Sequence, residues 1–133
     1  MLGLVNTPNG KAPVELRELP EPQPARNEAL VAVRAFSINR GELALLKTRT
    51  NQWRPGQDVA GVVVEPAADG SGPPPGSRVV ALVEEAGWAE LAAVPTARLA
   101  PGARPGGRGR RRCSVRRSLP RPASRCGSRR PRP

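Results

Sequence analysis

Apolar residues in the first hundred positions recur in short runs separated by Pro, Gly and Asn, a pattern that predicts β-strands rather than helices. Val14–Leu19 alternates apolar and polar residues at period two, as a half-exposed strand does. Longer aliphatic runs occupy Glu28–Ser37 and Ser77–Val83, and shorter ones occupy Leu2–Val5 and Gly87–Pro95. Many short strands with little helix indicate a mainly β domain, either a barrel or a sandwich.

The central stretch of the pattern is Pro55–Glu65. It opens with a Pro-Gly turn signal and ends in the β-branched run Val62–Val64, which is typical of a buried strand. Gly61 begins that run, where a glycine usually marks a bulge or a close approach of another backbone or a ligand. Asp58 precedes the run, and we expect its carboxylate to pair with a cation or to accept hydrogen bonds from local backbone N–H groups.

One segment departs from the strand pattern. Asn39–Lys47 predicts a turn or a short helix, and Leu43, Leu45 and Leu46 predict that it is partly buried.

Charge divides the chain sharply. Residues 1–100 carry a net charge of −1, whereas Pro101–Pro133 contains twelve Arg and no acidic residue, a net charge of +12. The only large aliphatic residues of this last segment are Val115 and Leu119, too few to offset chain entropy. We predict a disordered, Arg/Pro-rich tail that is capable of non-specific polyanion binding.

Composition also excludes several classes of protein. Both cysteines, Cys113 and Cys126, lie in the basic segment, and the chain has no His. A disulfide framework and a mononuclear zinc site are therefore not expected. No run reaches the roughly 18 apolar residues of a membrane span, and the first residues do not read as a signal peptide. The expectation is a cytoplasmic protein without a membrane partner.

Four residues of the central stretch form a recognisable motif. Gly56, Asp58, Ala60 and Gly61 have the spacing G-x-D-x-A-G-x-V, which resembles the core motif of the medium-chain dehydrogenase/reductase superfamily. Three further segments are similar to segments of that superfamily and follow in the same order: Ser37–Leu43, Pro75–Val79 and Gly87–Leu91. The resemblance implies that residues 1–100 form a GroES-like, partly open β-barrel, the N-terminal domain of such enzymes.

The resemblance also implies a branch of the superfamily. Zinc alcohol dehydrogenases carry Cys and His in segments that read Ser37–Arg40 and Gly56–Asp58 here. Without a thiolate or an imidazole the catalytic zinc is implied to be missing. What remains is the quinone-oxidoreductase-like branch, in which NADPH reduces a quinone, enone or carbonyl acceptor.

The resemblance assigns one residue to the cofactor. In the quinone-oxidoreductase-like branch the Asn of an Ile-Asn pair lies near the nicotinamide, which points to Asn39. The alternative is that Asn39 only caps the following helical turn, and both interpretations stay open. No catalytic residue is predicted, and we expect Asp58 to order the domain rather than to contact substrate.

The family continues with a Rossmann domain, and this sequence does not. Gly106–Gly109 has no strand before it and no helix after it, so it does not predict a dinucleotide site. A run of CGN codons for Arg, read in a neighbouring frame, gives triplets that can encode Ala. Arg110–Cys113 is therefore compatible with an out-of-frame translation of an Ala-rich helix, which the family carries near this point. The expectation is a truncated domain that is inactive alone and that a frameshift has separated from its cofactor domain.

A second hypothesis belongs to another class. The Arg-rich tail could make the chain a nucleic-acid-binding module on a small β-barrel, since Arg neutralises phosphates. Against this, the tail has no aromatic residue for base stacking, and residues 1–100 have no basic excess.

Overall fold

The structure is a computed structural model that describes residues 1–102. The expectations for the tail, including its disorder, its Gly-rich segment and its cysteines, lie outside the described residues. Within residues 1–102 the chain forms seven strands, one α-helix and one 3₁₀ turn: β1 (Leu2–Asn6), β2 (Val14–Glu18), β3 (Glu28–Phe36), α1 (Arg40–Thr48), β4 (Asp58–Glu65), β5 (Arg78–Leu82), β6 (Leu91–Pro95), the 3₁₀ turn Thr96–Arg98, and β7 (Leu99–Pro101).

The strands form two antiparallel sheets. β1 and β2 pair as a hairpin, and the other five strands form a curled half-barrel in the order β6-β3-β4-β5-β7. A bridge between Gly3 and Ala89 joins the hairpin to the larger sheet, and the Leu4 amide donates to the Trp88 carbonyl at 2.8 Å. The predicted mainly β, partly open barrel is confirmed.

Small aliphatic side chains fill the inside of the curl. This buried core is contributed by β3, β4, β5 and β6 together with the residue after β5: Ala29, Val31, Val59, Val63, Val79, Ala81, Val83, Ala92 and Val94. Because neighbouring residues of a strand point to opposite faces, only every second residue of each strand joins the core.

The prediction of a buried β4 is therefore wrong for one of its two faces. Val59, Gly61 and Val63 are buried, but Val62 is half-buried and Val64 is 48 % exposed. A curled sheet packs its inner face on itself, and within residues 1–102 no second layer covers the outer face. The outer face consequently exposes aliphatic side chains, including Val80 and Leu82 of β5.

The segments outside the large sheet agree with the sequence in outline. β2 forms as predicted, but Leu16 is 61 % exposed, because nothing in residues 1–102 covers its side chain. The helix also forms, with Leu46 buried and Leu45 half-buried, whereas Leu43 is 48 % exposed.

The last strand was not predicted. Residues 99–101 form β7 against β5, and the Gly102 amide then donates to the Arg78 carbonyl at 2.7 Å. The sheet thus passes the expected boundary at residue 100, because edge pairing with β5 satisfies the backbone of a segment whose side chains carry little strand signal.

Candidate functional site

The candidate site is built from two segments that are distant in sequence. One is the end of β3 with the start of α1, and the other is the start of β4. They meet because β3 and β4 pair antiparallel with Phe36 opposite Val59, and the Ser37 amide then donates to the Asp58 carbonyl at 3.3 Å. This pairing brings the predicted residues Asn39 and Asp58 together.

Asn39 is the N-cap of α1. It has extended backbone angles, φ −108° and ψ 165°, and its side-chain Oδ1 accepts from the Glu42 amide at 2.9 Å. The capping interpretation of Asn39 is therefore confirmed. Its Nδ2 lies 3.5 Å from Asp58 Oδ2, a long contact that leaves most of its donor capacity free within residues 1–102. Contact with a cofactor stays a prediction.

Asp58 has partners other than those expected. Its Oδ2 accepts from Ser37 Oγ at 2.8 Å and, weakly, from Asn39. The expectation of a cation or local backbone N–H groups is wrong within the described residues. The neighbouring backbone N–H of Gln57 donates to Glu42 and not to Asp58. The observed partners of Asp58 are side chains that follow β3.

Glu42 is a member of the site that the sequence reasoning missed. It is fully buried, and its Oε2 accepts from the Asn39 amide at 3.0 Å while its Oε1 accepts from the Gln57 amide at 2.7 Å. One carboxylate thus joins the N-terminus of α1 to the segment before β4. The spacing Asn39-x-x-Glu42 is a capping-box signature and could have revealed the first bond, but not the second.

Two glycines of the motif hold the backbone where a side chain would not fit. Gly56 has φ +116°, and a Cβ there would overlap the backbone of Trp88. A Cβ on Gly61 would overlap the carbonyl of Ala32 across the β3–β4 pair, which confirms the predicted close approach. Ala60, the remaining motif residue, lies half-buried on the outer face of the sheet.

Two open grooves flank these residues. The first, the sheet-face groove, has a volume of about 540 Å³ and runs over the outer face of β3, β4, β5 and β7; its lining is Ala35, Phe36, Ser37, Asp58, Val59, Ala60, Val80, Ala81, Leu82, Arg98 and Ala100. The second, the Trp88 groove, has a volume of about 550 Å³ and lies between the hairpin and β3; its lining is Leu2, Gly3, Leu4, Leu16, Val33, Arg34, Ala35, Phe36, Trp88, Ala89 and Glu90.

Phe36, like Ala35, lines both grooves. Its ring stacks on the Trp88 ring with centroids 5.6 Å apart. Trp88 in turn donates from Nε1 to the Ser37 carbonyl at 3.0 Å. The aromatic pair therefore fixes the backbone at the point where β3 leads into the site.

The site residues do not suit a catalytic zinc. Asn39, Gln57 and Asp58 offer two amides and one carboxylate, a poor donor set for a soft metal. Residues 1–102 contain neither His nor Cys, and no group of three or more potential metal ligands occurs among them.

The chain matches one known domain family. The model of the alcohol dehydrogenase GroES-like domain matches residues 25–104. No curated protein matches the chain. Among the residues with described structure, no helix is long and apolar enough to cross a membrane.

Solved structures of oxidoreductases share the fold. The quinone oxidoreductase from Thermus thermophilus, solved alone and with NADPH, is 33 % identical, with a TM-score of 0.61 over 76 % of this chain and 32 % of that one. A probable oxidoreductase from Mycobacterium abscessus is 27 % identical, with a TM-score of 0.68 over 76 % and 34 % of the two chains. A putative zinc-dependent alcohol dehydrogenase from Rhizobium etli is 28 % identical, with a TM-score of 0.64 over 71 % and 30 %.

This chain spans about a third of the length of each of these structures. The family match nevertheless covers more than half of the chain, and the mainly β, curled sheet of residues 1–102 agrees with it. The chain belongs to the alcohol dehydrogenase GroES-like domain family, as its resemblance to the medium-chain dehydrogenases predicted.

Proposed function

We propose that the chain is the substrate-side domain of a zinc-independent, NADPH-dependent oxidoreductase that reduces quinone, enone or carbonyl acceptors. The likeness to the Thermus thermophilus quinone oxidoreductase, which was solved with NADPH, supports this class. NADPH would supply the hydride, and the protein would orient it and exclude water.

The observation that carries the proposal is the fixed orientation of the Asn39 amide. Its Oδ1 is tied to the Glu42 amide at 2.9 Å, so the group left for a ligand is Nδ2, next to Asp58. A carboxamide donor of known direction suits the carbonyl oxygen of a nicotinamide or of an acceptor. Asn39 is thus the residue of this chain that would hold the nicotinamide.

Zinc independence is part of the proposal and has its own test. The purified chain should not retain stoichiometric zinc, because the amide and carboxylate donors at the site are unsuited to it. Stoichiometric zinc that is lost on Gln57→Ala or Asp58→Ala would overturn the assignment.

Activity is proposed for the whole enzyme and not for these 133 residues. In the family, the pyrophosphate is held by a Gly-rich turn at a helix N-terminus of the second domain. Residues 1–102 offer one wall, with Asn39, and no such turn. We expect no NADPH oxidation by the chain with quinone acceptors, and only weak NADPH binding that salt abolishes, since exposed Arg side chains are screened within about 8 Å at physiological ionic strength.

Translating the gene in its other two reading frames downstream of Ala100 tests the proposed truncation. If another frame downstream of Ala100 encodes a Rossmann-like continuation, restoring it should recover salt-resistant NADPH oxidation. That activity should fall on Asn39→Ala, whereas Asn51→Ala, a change at an exposed Asn outside both grooves, should leave it unchanged. Salt-resistant turnover by the 133-residue chain itself would contradict the proposal.

The nucleic-acid alternative depends on residues outside the described structure. None of the solved structures described above is a nucleic-acid-binding protein by its name, and residues 1–100 carry a net charge of −1. A featureless continuation in all reading frames, together with tight binding of the chain to RNA or DNA at physiological salt, would favour it.

A further inference from the structure

The sheet-face groove has a floor that nothing covers within residues 1–102. Ala60 of β4 lies in register with Val80 of β5, and Val80 with Ala100 of β7. Val80 is 46 % exposed and Leu82, one step along the same face, is 59 % exposed. Contiguous apolar exposure of this kind usually marks a binding surface.

One end of the groove carries an unneutralised carboxylate. Asp58 lies in register with Leu82, so its side chain stands at the edge of the apolar floor. Its Oδ2 accepts the Ser37 hydroxyl at 2.8 Å, and its Oδ1 accepts no hydrogen bond from residues 1–102. The Ser37 hydroxyl donates its hydrogen to Asp58 and is not available as a donor to a ligand. The polar atoms that Ser37 and Asp58 offer at this end of the groove are therefore hydrogen-bond acceptors.

The cation nearest the groove is engaged elsewhere. Arg98 also lines the groove, but its guanidinium donates to Glu84 at 2.8 Å. β5 lies between β4, which Asp58 begins, and β7, which follows Arg98, so the backbones of the two residues are roughly 10 Å apart at the strand spacing of a sheet. The ion pairs within the described part of the chain do not include Asp58.

From this juxtaposition of apolar floor and free carboxylate, we propose that the sheet-face groove binds a small molecule with an apolar body and an ammonium head group. Asp58 Oδ1 accepts from the head group, and Ala60, Val80 and Leu82 receive the body. An ammonium is favoured over a neutral hydroxyl because a charge-assisted hydrogen bond is about twice as strong as a neutral one. The inference does not depend on the proposed function, since it requires neither NADPH nor a second domain.

Three probes that share one apolar body test the proposal on the 133-residue chain. Benzylamine, benzyl alcohol and benzoate are titrated into the ¹⁵N-labelled chain at physiological salt, and binding is followed at the backbone amides of Ala60, Val80 and Leu82. Reading these amides separates the groove from benzoate bound by the Arg-rich tail. We expect benzylamine to bind about tenfold more tightly than benzyl alcohol, and benzoate to bind the groove most weakly.

Two pairs of variants assign the two halves of the site. Asp58→Asn should reduce benzylamine affinity to that of benzyl alcohol, whereas Asp69→Asn, which removes an exposed carboxylate outside the groove, should not. Leu82→Asn should weaken benzylamine and benzyl alcohol by the same factor. Leu16→Asn, at an exposed Leu of the Trp88 groove, should weaken neither.

Several results would overturn the proposal. These are groove binding of benzoate as tight as that of benzylamine, a benzylamine preference that persists in Asp58→Asn, perturbations confined to the Trp88 groove, or no saturable binding of any probe. The comparison of the three probes uses the unmodified chain, so the proposal stays open to refutation even if Asp58→Asn does not fold.

Discussion

Glu42→Gln tests whether one buried carboxylate holds the two halves of the site together. Glu42 has no exposed surface, and its two oxygens accept from the amides of Asn39 and Gln57, 18 residues apart in the chain. Gln is nearly isosteric but has only one acceptor oxygen. A Gln at the third helical position can still complete the capping box with Asn39, so we expect the bond to Gln57 to be lost.

The magnitude follows from the chemistry of that bond. A hydrogen bond to a charged group contributes about 1.5–3 kcal/mol, and a buried donor left without a partner costs about 1–3 kcal/mol. We therefore expect Glu42→Gln to lower the free energy of unfolding by at least about 2 kcal/mol. For a domain of this size each kcal/mol shifts Tm by roughly 4–8 °C, so Tm should fall by at least about 8 °C.

The assay is thermal unfolding followed by circular dichroism, with hydrogen exchange of the Gln57 amide as a local measurement. Glu15→Gln is the matched control, because it removes the same charge from an exposed ion pair with Arg17 and should cost no more than about 1 kcal/mol. If the two variants have the same Tm, or if the Gln57 amide exchanges no faster than expected from global stability, the reasoning is refuted.

Three further predictions concern the motif and the tail. Gly56→Ala should cost more than about 2 kcal/mol of unfolding free energy, since φ is +116° and the new Cβ meets the Trp88 backbone. The control Gly70→Ala, also at positive φ but in open space, should cost about 1–2 kcal/mol. Equal costs of the two variants in denaturant unfolding would contradict this prediction. Asp58→Ala should cost about 1–3 kcal/mol by loss of its hydrogen bonds, and an unchanged Tm would exclude a structural role. Amides of Arg104–Pro133 should exchange at unprotected rates, and protection anywhere in that range would defeat the prediction of disorder.

The first six strands and the helix were predictable because their signals are local, whereas β7 was not predicted. The aliphatic runs at Leu2–Val5 and Ser77–Val83, for example, coincide with β1 and β5 to within a residue at each end. The capping role of Asn39 was likewise one of two interpretations read from neighbouring residues, and the helix that it caps is observed. Interactions between residues close in sequence determine these features, so they could be predicted from the sequence alone.

The partners within the site were not predictable, because strand register decides them. Glu42 meets Gln57 across 15 residues, and Asp58 meets Ser37 across 21. Which face of β4 is buried was equally unpredictable from the sequence. Its apolar run places aliphatic residues on both faces, as Val62 and Val63 show, so hydrophobic periodicity could not indicate which face the curl would enclose.

One of the two register shifts in the β3–β4 pair is a bulge in β3 just before the site. Val33 lies opposite Gly61 and Ala35 opposite Ala60, so Arg34 is the extra residue of the pair. A bulge bends its strand and re-aims the side chains that follow it, and a one-residue change of register exchanges the two faces of a strand. Beyond Arg34, Ala35 and Phe36 line both grooves, and the Ser37 hydroxyl donates to Asp58. Gly61 lies opposite Val33, in the pair next to the bulge, and a side chain there would overlap the Ala32 carbonyl, which gives the glycine of the motif a physical reason for its position.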